Sequence, residues 1–568
     1  MLAPAAYVAA FNAFAPYDDE GYFLTTLRDF VAGPQAFAHV SAVYGPVYYE
    51  LIGGFFKLTG LPVTHDNGRY LTLAIWLAAS VVQGVAVFRF TNRLWLGLCA
   101  QLVSFHVLAA LAPEPLHPSC LVGLFIGGIT LAASFAEARP RLSGVLLGAL
   151  CAALCLVKIN TGVFAMIALA VAWTASRRGP VHRWGFPAVA GVAVVLPSQI
   201  MWGQIGQAWV LQFAIVATVS LFALYVASVP ELLAGGHPPA AWPVVAAALG
   251  MGAFGVLLIY PAGWTPQDLF SGLRQAVAVP AIFVWPIRLN WAYPAWAVLA
   301  FGFLLAGGIT ARPEARIVVG VASWACLLLL PSALFLFILP LCWLAAFRLS
   351  DIGGRRFAPL LLAWLAVTEV LQAYPVAGMQ LSLAALGVVP IGALLIDGGL
   401  ESRQASDVSS RWLAPALVAG CAAIVGLNGY LAASDYYAGA PAGLRGMNAT
   451  RLPAAQAQAL QATVGAVTAE CTAFVTYPGL TSFYAWTGQP PPVPLEAGPW
   501  MFVVDDASQQ AMVGRLRALP KLCVIRDQAM LDFWAQDKPV PDRPLVGYIE
   551  SDFAVAASFG EYEVLVRR

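Results

Sequence analysis

The sequence predicts a polytopic α-helical membrane protein of about 13–15 transmembrane helices, followed by a C-terminal soluble α/β domain. Three observations predict it. Of the 568 residues, 60% are hydrophobic and 10% charged, where a soluble domain carries about 25% charged residues. So few charges cannot cover a water-soluble surface of this size. The charges are also unevenly spread: 23 fall in the 135 residues 434–568 and 36 in the 433 before them. That shift divides the chain into a membrane part, 1–433, and a soluble domain, 434–568. Finally, apolar runs of spanning length recur throughout the first part. The composition excludes a soluble enzyme and a disordered chain, and a net charge of +1 excludes an electrostatic nucleic-acid binder.

A spanning helix needs about 20 apolar residues, or about 17 with snorkelling flanks. The segments that qualify are 70–90, 94–112, 118–136, 142–158, 161–176, 185–202, 208–229, 241–260, 291–310, 359–374, 380–397 and 412–431. Residues 316–347 are interrupted by Pro331 and read as two short helices. Residues 2–16 form one more, short candidate. No basic region precedes it, so it reads as a truncated first helix and not a signal peptide.

Orientation follows from the basic residues. With the loop after the first helix outside, Arg89, Arg93, Arg139, Arg141, Arg177, Arg178, Arg183, Arg312, Arg316, Arg348, Arg355, Arg356, Arg403 and Arg411 fall in the cytoplasm. Arg28, Lys57, Arg69, Lys158, Arg274 and Arg288 remain outside, as does the C-terminal domain. Two outer segments, 17–69 and 261–290, are longer than turns require, and long loops in a compact bundle are usually functional. Scarce lysine beside abundant Arg, Ala, Gly and Pro suggests a GC-rich bacterial genome. The expected location is therefore the bacterial cytoplasmic membrane.

In the C-terminal domain, the strand-like runs TAFVTYP, WMFVVD, KLCVIRD, PLVGYI and YEVLVRR alternate with helical stretches at 454–469, 507–519 and 529–536. No phosphate loop, metal cluster or nucleophile motif stands out there, which favours a structural or acceptor-docking role. Seven of the nine cysteines lie in apolar segments, where a thiol acts as a small hydrophobe. Cys471 and Cys523 are the pair in the soluble domain, each beside a predicted strand. In an oxidising, outward-facing domain they are candidates for a structural disulfide.

The sharpest local feature is Asp18-Asp19-Glu20, directly after the first apolar segment. One reading is a helix cap with acids favoured in the first turn. The other is a general base with neighbours that orient it or hold a metal ion, since crowded carboxylates gain proton affinity. Spacing alone does not choose between them.

The run AFAPYDDEGYFLTTLRDFVAG, the turn Tyr44-Gly45-Pro46 within YGPVYYELIGGFFKLTG, and Arg69 in GRYLTL together resemble the first outer loop of GT-C integral-membrane glycosyltransferases. The likeness is to the branch containing protein O-mannosyltransferases and the lipid A aminoarabinose transferase. There an Asp-Glu pair, here Asp19-Glu20, follows the first spanning helix, and an Arg opens the next one. LVKINTGVFAMIALA is similar to a Lys-x-Asn-x-Gly segment of bacterial members. The resemblance covers about the first 170 residues.

It implies inverting transfer of a sugar from a polyprenyl-phosphate donor to a glycan, lipid or protein acceptor outside the membrane. Asp19 is then the base, with Asp18 and Glu20 as orienting or metal-binding neighbours; a divalent metal ion is the one cofactor these acids admit. A departing phosphate needs cations. Arg69, Lys158, Arg274 and Arg288 are candidates, with His117 nearby. Tyr44, Tyr48, Asn160 and the intramembrane acid Glu369 are candidate substrate contacts. A transporter or flippase of a polyprenyl-linked glycan is the principal alternative. It would bury charges mid-bilayer and break helices. A scaffold would leave three adjacent acids unexplained.

Overall fold

The computed structural model describes residues 2–33, 44–177, 179–228, 283–306, 312–329, 333–346, 357–402, 409–495 and 498–568. Among these, six helical segments are long and apolar enough to cross a membrane: His65–Thr91, Pro140–Val157, Val181–Gln204, Ala208–Ser228, Gly378–Ser402 and Trp412–Ala438. Shorter apolar helices accompany them, among them Leu94–Ala109, Ser119–Ala133, Ile159–Ala175 and Ala292–Ala306. The architecture is that of a multi-pass helical membrane protein carrying a C-terminal sheet domain. The expected span 241–260, Arg274 and most of segment 261–290 lie outside the described residues.

Several expected spans are broken. The first helix, Leu2–Ala10, has nine residues, far short of the roughly 20 needed to cross. Segment 316–347 gives one helix, Pro313–Leu328, and then 3₁₀ turns at Ala333–Phe337 and Leu339–Leu341 before Trp343–Ala346. Pro340 lacks the amide that a continuing helix needs. The helix Phe357–Thr368 tightens into a 3₁₀ turn over Glu369–Ala373. Segment 380–397 divides into Gly378–Ala385 and Val388–Ser402. Between them, a Cβ on Gly387 would lie 2.9 Å from the Ala366 Cα, so glycine permits this close crossing.

Two features bring the turn at residues 44–46 onto the corner at residues 157–162. The helices Pro140–Val157 and Ile159–Ala175 are separated only by Lys158, which is extended (φ −147°, ψ 104°). The corner is so tight that a Cβ on Gly162 would lie 2.2 Å from the Cys155 amide nitrogen. The turn Tyr44-Gly45-Pro46 docks on this corner. Gly45 N–H donates to Val157 O (3.1 Å), and a Cβ there would lie 2.1 Å from Leu156 O.

The C-terminal region folds around a four-stranded sheet: β1 (Ala473–Tyr477), β2 (Leu522–Asp527), β3 (Phe553–Phe559) and β4 (Tyr562–Arg567), in order β1-β2-β4-β3. β1 and β2 pair in parallel and the rest antiparallel. A disulfide joins Cys471 to Cys523, Cα atoms 5.8 Å apart. Two expected strands are helices instead. WMFVVD forms the turn Trp500–Val503, and PLVGYI lies within the helix Pro544–Asp552, where Leu545, Val546, Tyr548 and Ile549 are buried. Short apolar runs do not distinguish strand from helix by periodicity, and Pro544 at the first helical position favours the helix. The strand not anticipated, β3, sits at the sheet edge and is largely exposed.

The Lys158 corner yields a prediction. Gly162→Ala must displace the preceding helix end, destabilising by about 1–3 kcal/mol or more. A lower thermal midpoint in detergent, by several degrees, checks it.

Candidate active site

The helix Asp19–Ala32 begins with the acidic triplet, and its first turn sends each carboxylate to a different place. Consecutive helical residues project about 100° apart, so neighbouring side chains cannot converge there. Asp18 takes a left-handed conformation (φ 56°), which Asp tolerates, and caps the helix through Gly21 N–H (3.0 Å). Its carboxylate also accepts the Ser482 amide (2.6 Å) and the Ser482 hydroxyl. Glu20 meets Arg69 in a two-pronged ion pair, at 2.8 and 2.6 Å, with side chains 3% and 0% exposed. Arg69 Nη1 donates to the carbonyls of Ala10 (2.7 Å) and Ala13 (2.9 Å).

These bonds correct two expectations. The Arg69 guanidinium is fully buried, with four of its five N–H donors bonded within the protein, and it does not line the cavity described below. Nor do Asp18 and Glu20 join Asp19 as metal ligands. Their oxygens hold N–H and O–H donors in separate environments, and among the described residues no three His, Cys, Asp or Glu groups come together. The triplet as folded does not fit a metal ion.

Asp19 has no hydrogen-bonding partner among the described residues and faces a cavity of about 750 Å³. Tyr17, Glu114, Arg288, Tyr293, Gln380 and Ser382 share its lining, and Phe283, Trp285, Phe533 and Trp534 form an aromatic side. Burial pushes Asp19 up to about 7. Glu114 is pushed up to about 8, by desolvation first and then by the charge of Asp19, with the Tyr17 bond and Lys158 acting oppositely. Tyr17 O–H donates to Glu114 at 3.1 Å. Two carboxylates desolvated together share the last proton reluctantly released, and they titrate as a pair.

Behind Glu114 lies a second group. His117 Nδ1 accepts the Ser119 amide (3.1 Å), and Nε2 lies 2.9 Å from the Tyr44 hydroxyl. With Nδ1 an acceptor, the neutral ring carries its proton on Nε2 and donates it to Tyr44. Desolvation first, then the Lys158 charge, holds His117 well below its usual range. It is a neutral positioning group for Tyr44 and not a cation, which corrects its expected place among the phosphate-binding charges. Lys158, by contrast, ends in a buried Nζ with no hydrogen-bond partner among the described residues, and its charge acts on both Glu114 and Glu369. Glu369 is fully buried. One of its oxygens accepts Gln372 Nε2 (3.2 Å); the other, like Gln372 Oε1, is unpartnered.

The remaining expected contacts are placed as follows. Tyr48 is buried and its hydroxyl donates to Leu116 O (2.8 Å), so it packs the loop and does not reach the cavity. Asn160 is half-buried in the first turn of the helix Ile159–Ala175, and its Oδ1 accepts the Thr161 amide (2.9 Å). Arg288 is exposed on the cavity wall. Sequence reasoning missed Ser482, Phe533 and Trp534. The last two had a faint signal: in the helix Gln528–Ala535 only Leu531 and Ala535 are buried, leaving two adjacent aromatic residues without a core to fill.

No family model matches this chain, and no curated protein does. Among solved structures, the oligosaccharyltransferase of Archaeoglobus fulgidus, in complex with Zn and sulfate, is similar at a TM-score of 0.41 and 12% sequence identity. The alignment covers 95% of this chain and 70% of that one.

The Glu20–Arg69 pair is the structural test of the site. Removing one partner strands a buried charge, at a cost of about 3–5 kcal/mol. Glu20→Gln should therefore sharply reduce folded yield in size-exclusion profiles, and Glu20→Gln with Arg69→Met should recover most of it.

Proposed function

We propose that the protein is a GT-C-type glycosyltransferase that moves a sugar from a polyprenyl-phosphate donor to an acceptor hydroxyl or amine, with inversion. The single observation that carries the reading is Asp19: a carboxylate with no hydrogen-bond partner among the described residues, its proton affinity raised by burial to about 7, facing a large cavity with a cation on its wall. In the step, the acceptor gives its proton to Asp19 as its oxygen or nitrogen bonds to the sugar's anomeric carbon. The bond from that carbon to the phosphate oxygen breaks, and the polyprenyl phosphate leaves with the electron pair. Lys158 and Arg288 hold the charge that develops, with Arg274 a further candidate. Glu114 shares the base's proton load. Tyr44, Asn160, and Glu369 with Gln372 are candidate contacts for sugar hydroxyls. The apolar part of the cavity suits the first isoprene units of the donor.

In this reading residues 1–433 form the transferase domain of a bacterial cytoplasmic membrane protein, and 434–568 lie outside the cytoplasm. The acceptor is a glycan, lipid or protein. One observation favours the transporter reading: Lys158 and Glu369 are buried polar groups beside interrupted helices, a pattern of transport sites.

The experiment is transfer from labelled polyprenyl-phosphate sugar in membranes. General-base catalysis contributes about 10²–10⁴-fold, so Asp19→Asn should lower kcat at least 100-fold. Wild-type rates in that variant would remove the base assignment, and movement of the lipid-linked sugar without transfer would favour transport. The pH profile gives a second check. The base works deprotonated, so the rate is full above the pair's titration and lost as pH falls through about 7. Glu114→Gln removes a neighbouring negative charge and should move that acid limb to lower pH.

A further inference from the structure

Asp18 and Asp19 are consecutive, yet only Asp19 faces the cavity. What holds Asp18 comes from the far end of the sequence. The amide and hydroxyl of Ser482, which opens the helix Ser482–Thr487 in the C-terminal domain, both donate to the Asp18 carboxylate. The same hydroxyl lies 2.9 Å from His65 Nε2, and Trp486 stacks on the His65 ring with centroids 5.3 Å apart. Asp18, Ser482 and His65 are 3%, 0% and 0% exposed. The approach is so close that a Cβ on Gly21 would lie 2.2 Å from the Ser482 nitrogen. The three side chains resemble a hydrolase triad only in composition. The serine sits between the acid and the histidine, and no substrate reaches it.

We infer that Ser482 is a positioning residue for the base: through Asp18 it fixes the start of the helix Asp19–Ala32, and so the direction in which Asp19 presents its carboxylate. Its hydroxyl reads both partners at once, bonding Asp18 and meeting His65 on the opening turn of the helix His65–Thr91. A second contact lies on the cavity wall. Val284 N–H donates to Gln536 Oε1 (3.1 Å), and Phe283 packs on Trp534 (4.8 Å) and Phe533 (5.4 Å). The C-terminal domain therefore contributes to the cavity wall through Phe533 and Trp534 and holds the start of the base's helix through Ser482. This assignment rests on the transferase reading, because it presumes that Asp19 does the chemistry.

The test is Ser482→Ala in the full-length protein, assayed in membranes with a polyprenyl-phosphate hexose and a polyprenyl-phosphate pentose. Misplacing a reacting group by about 1 Å can cost about 100-fold in rate. The inference predicts a kcat lowered by about 10–100-fold, donor KM within about twofold of wild type, and recovery by Ser482→Thr, which keeps the hydroxyl. Unchanged kcat, or a fall in the alanine variant that Thr does not recover, would overturn it. Amide exchange supplies a readout independent of activity. In Ser482→Ala the Gly21 amide, capped by Asp18, should exchange at least about tenfold faster while the helix His65–Thr91 keeps its protection; an unchanged Gly21 rate also overturns the inference. If the wild type transfers neither sugar, the transferase reading fails, and the exchange result still decides whether Ser482 holds the helix start.

Discussion

The guanidinium of Arg69 ties together three segments that would otherwise have little reason to meet. Its four hydrogen bonds reach the end of the helix Leu2–Ala10, the residues just beyond it, and Glu20 in the helix Asp19–Ala32. The terminal carbonyls of a helix need donors. Arg69 supplies them while its charge is neutralised by Glu20. That neutralisation lets three consecutive acids be buried at all. With Glu20 pinned on one side and Asp18 on the other, the helical turn leaves Asp19 a single direction, toward the cavity.

The cavity then works by contrast of environments. Its walls are mostly apolar or aromatic, so the few charges on it interact strongly and ionise reluctantly. Asp19 and Glu114 compete for the ionised state, while the Lys158 charge nearby opposes protonation of Glu114. An acid pair on one side and a cation on the other suits a reaction that removes a proton from one reactant and leaves an anion on the other. The tight corners at Gly45 and Gly162 make that arrangement possible, because they bring the Tyr44 turn onto the helix end that carries Lys158.

Much of this was legible in the sequence, though unevenly. Composition and charge distribution pointed to a helical membrane part and a C-terminal α/β part, because apolar length and surface charge are properties of the chain itself. Asp19 stood out because adjacent acids beside lipid call for an explanation. The helix cap that Asp18 forms was one of the two readings the sequence offered, but its hold on Ser482 and the fates of Glu20, Arg69 and His117 were not legible. A charge near an outer loop looks free until its partner is known, and here the partners are 49 and 464 residues away. The helix breaks at Glu369 and Gly387 were hidden for a similar reason: tertiary crossings, not local propensity, set them. Trp500–Val503 and Pro544–Asp552 failed as strands because short apolar runs fit either structure.

The central claim is that Asp19 and the cations near it share one reaction site. Imaging the full-length protein by electron cryomicroscopy, with a non-transferable polyprenyl-phosphonate sugar bound, tests it most directly. The account predicts the phosphonate between Lys158 and Arg288, the anomeric carbon facing Asp19 with room for an acceptor atom between them, and the lipid chain leaving along the apolar wall. A headgroup bound in saturating ligand at any site from which Asp19 cannot reach the anomeric carbon would contradict it.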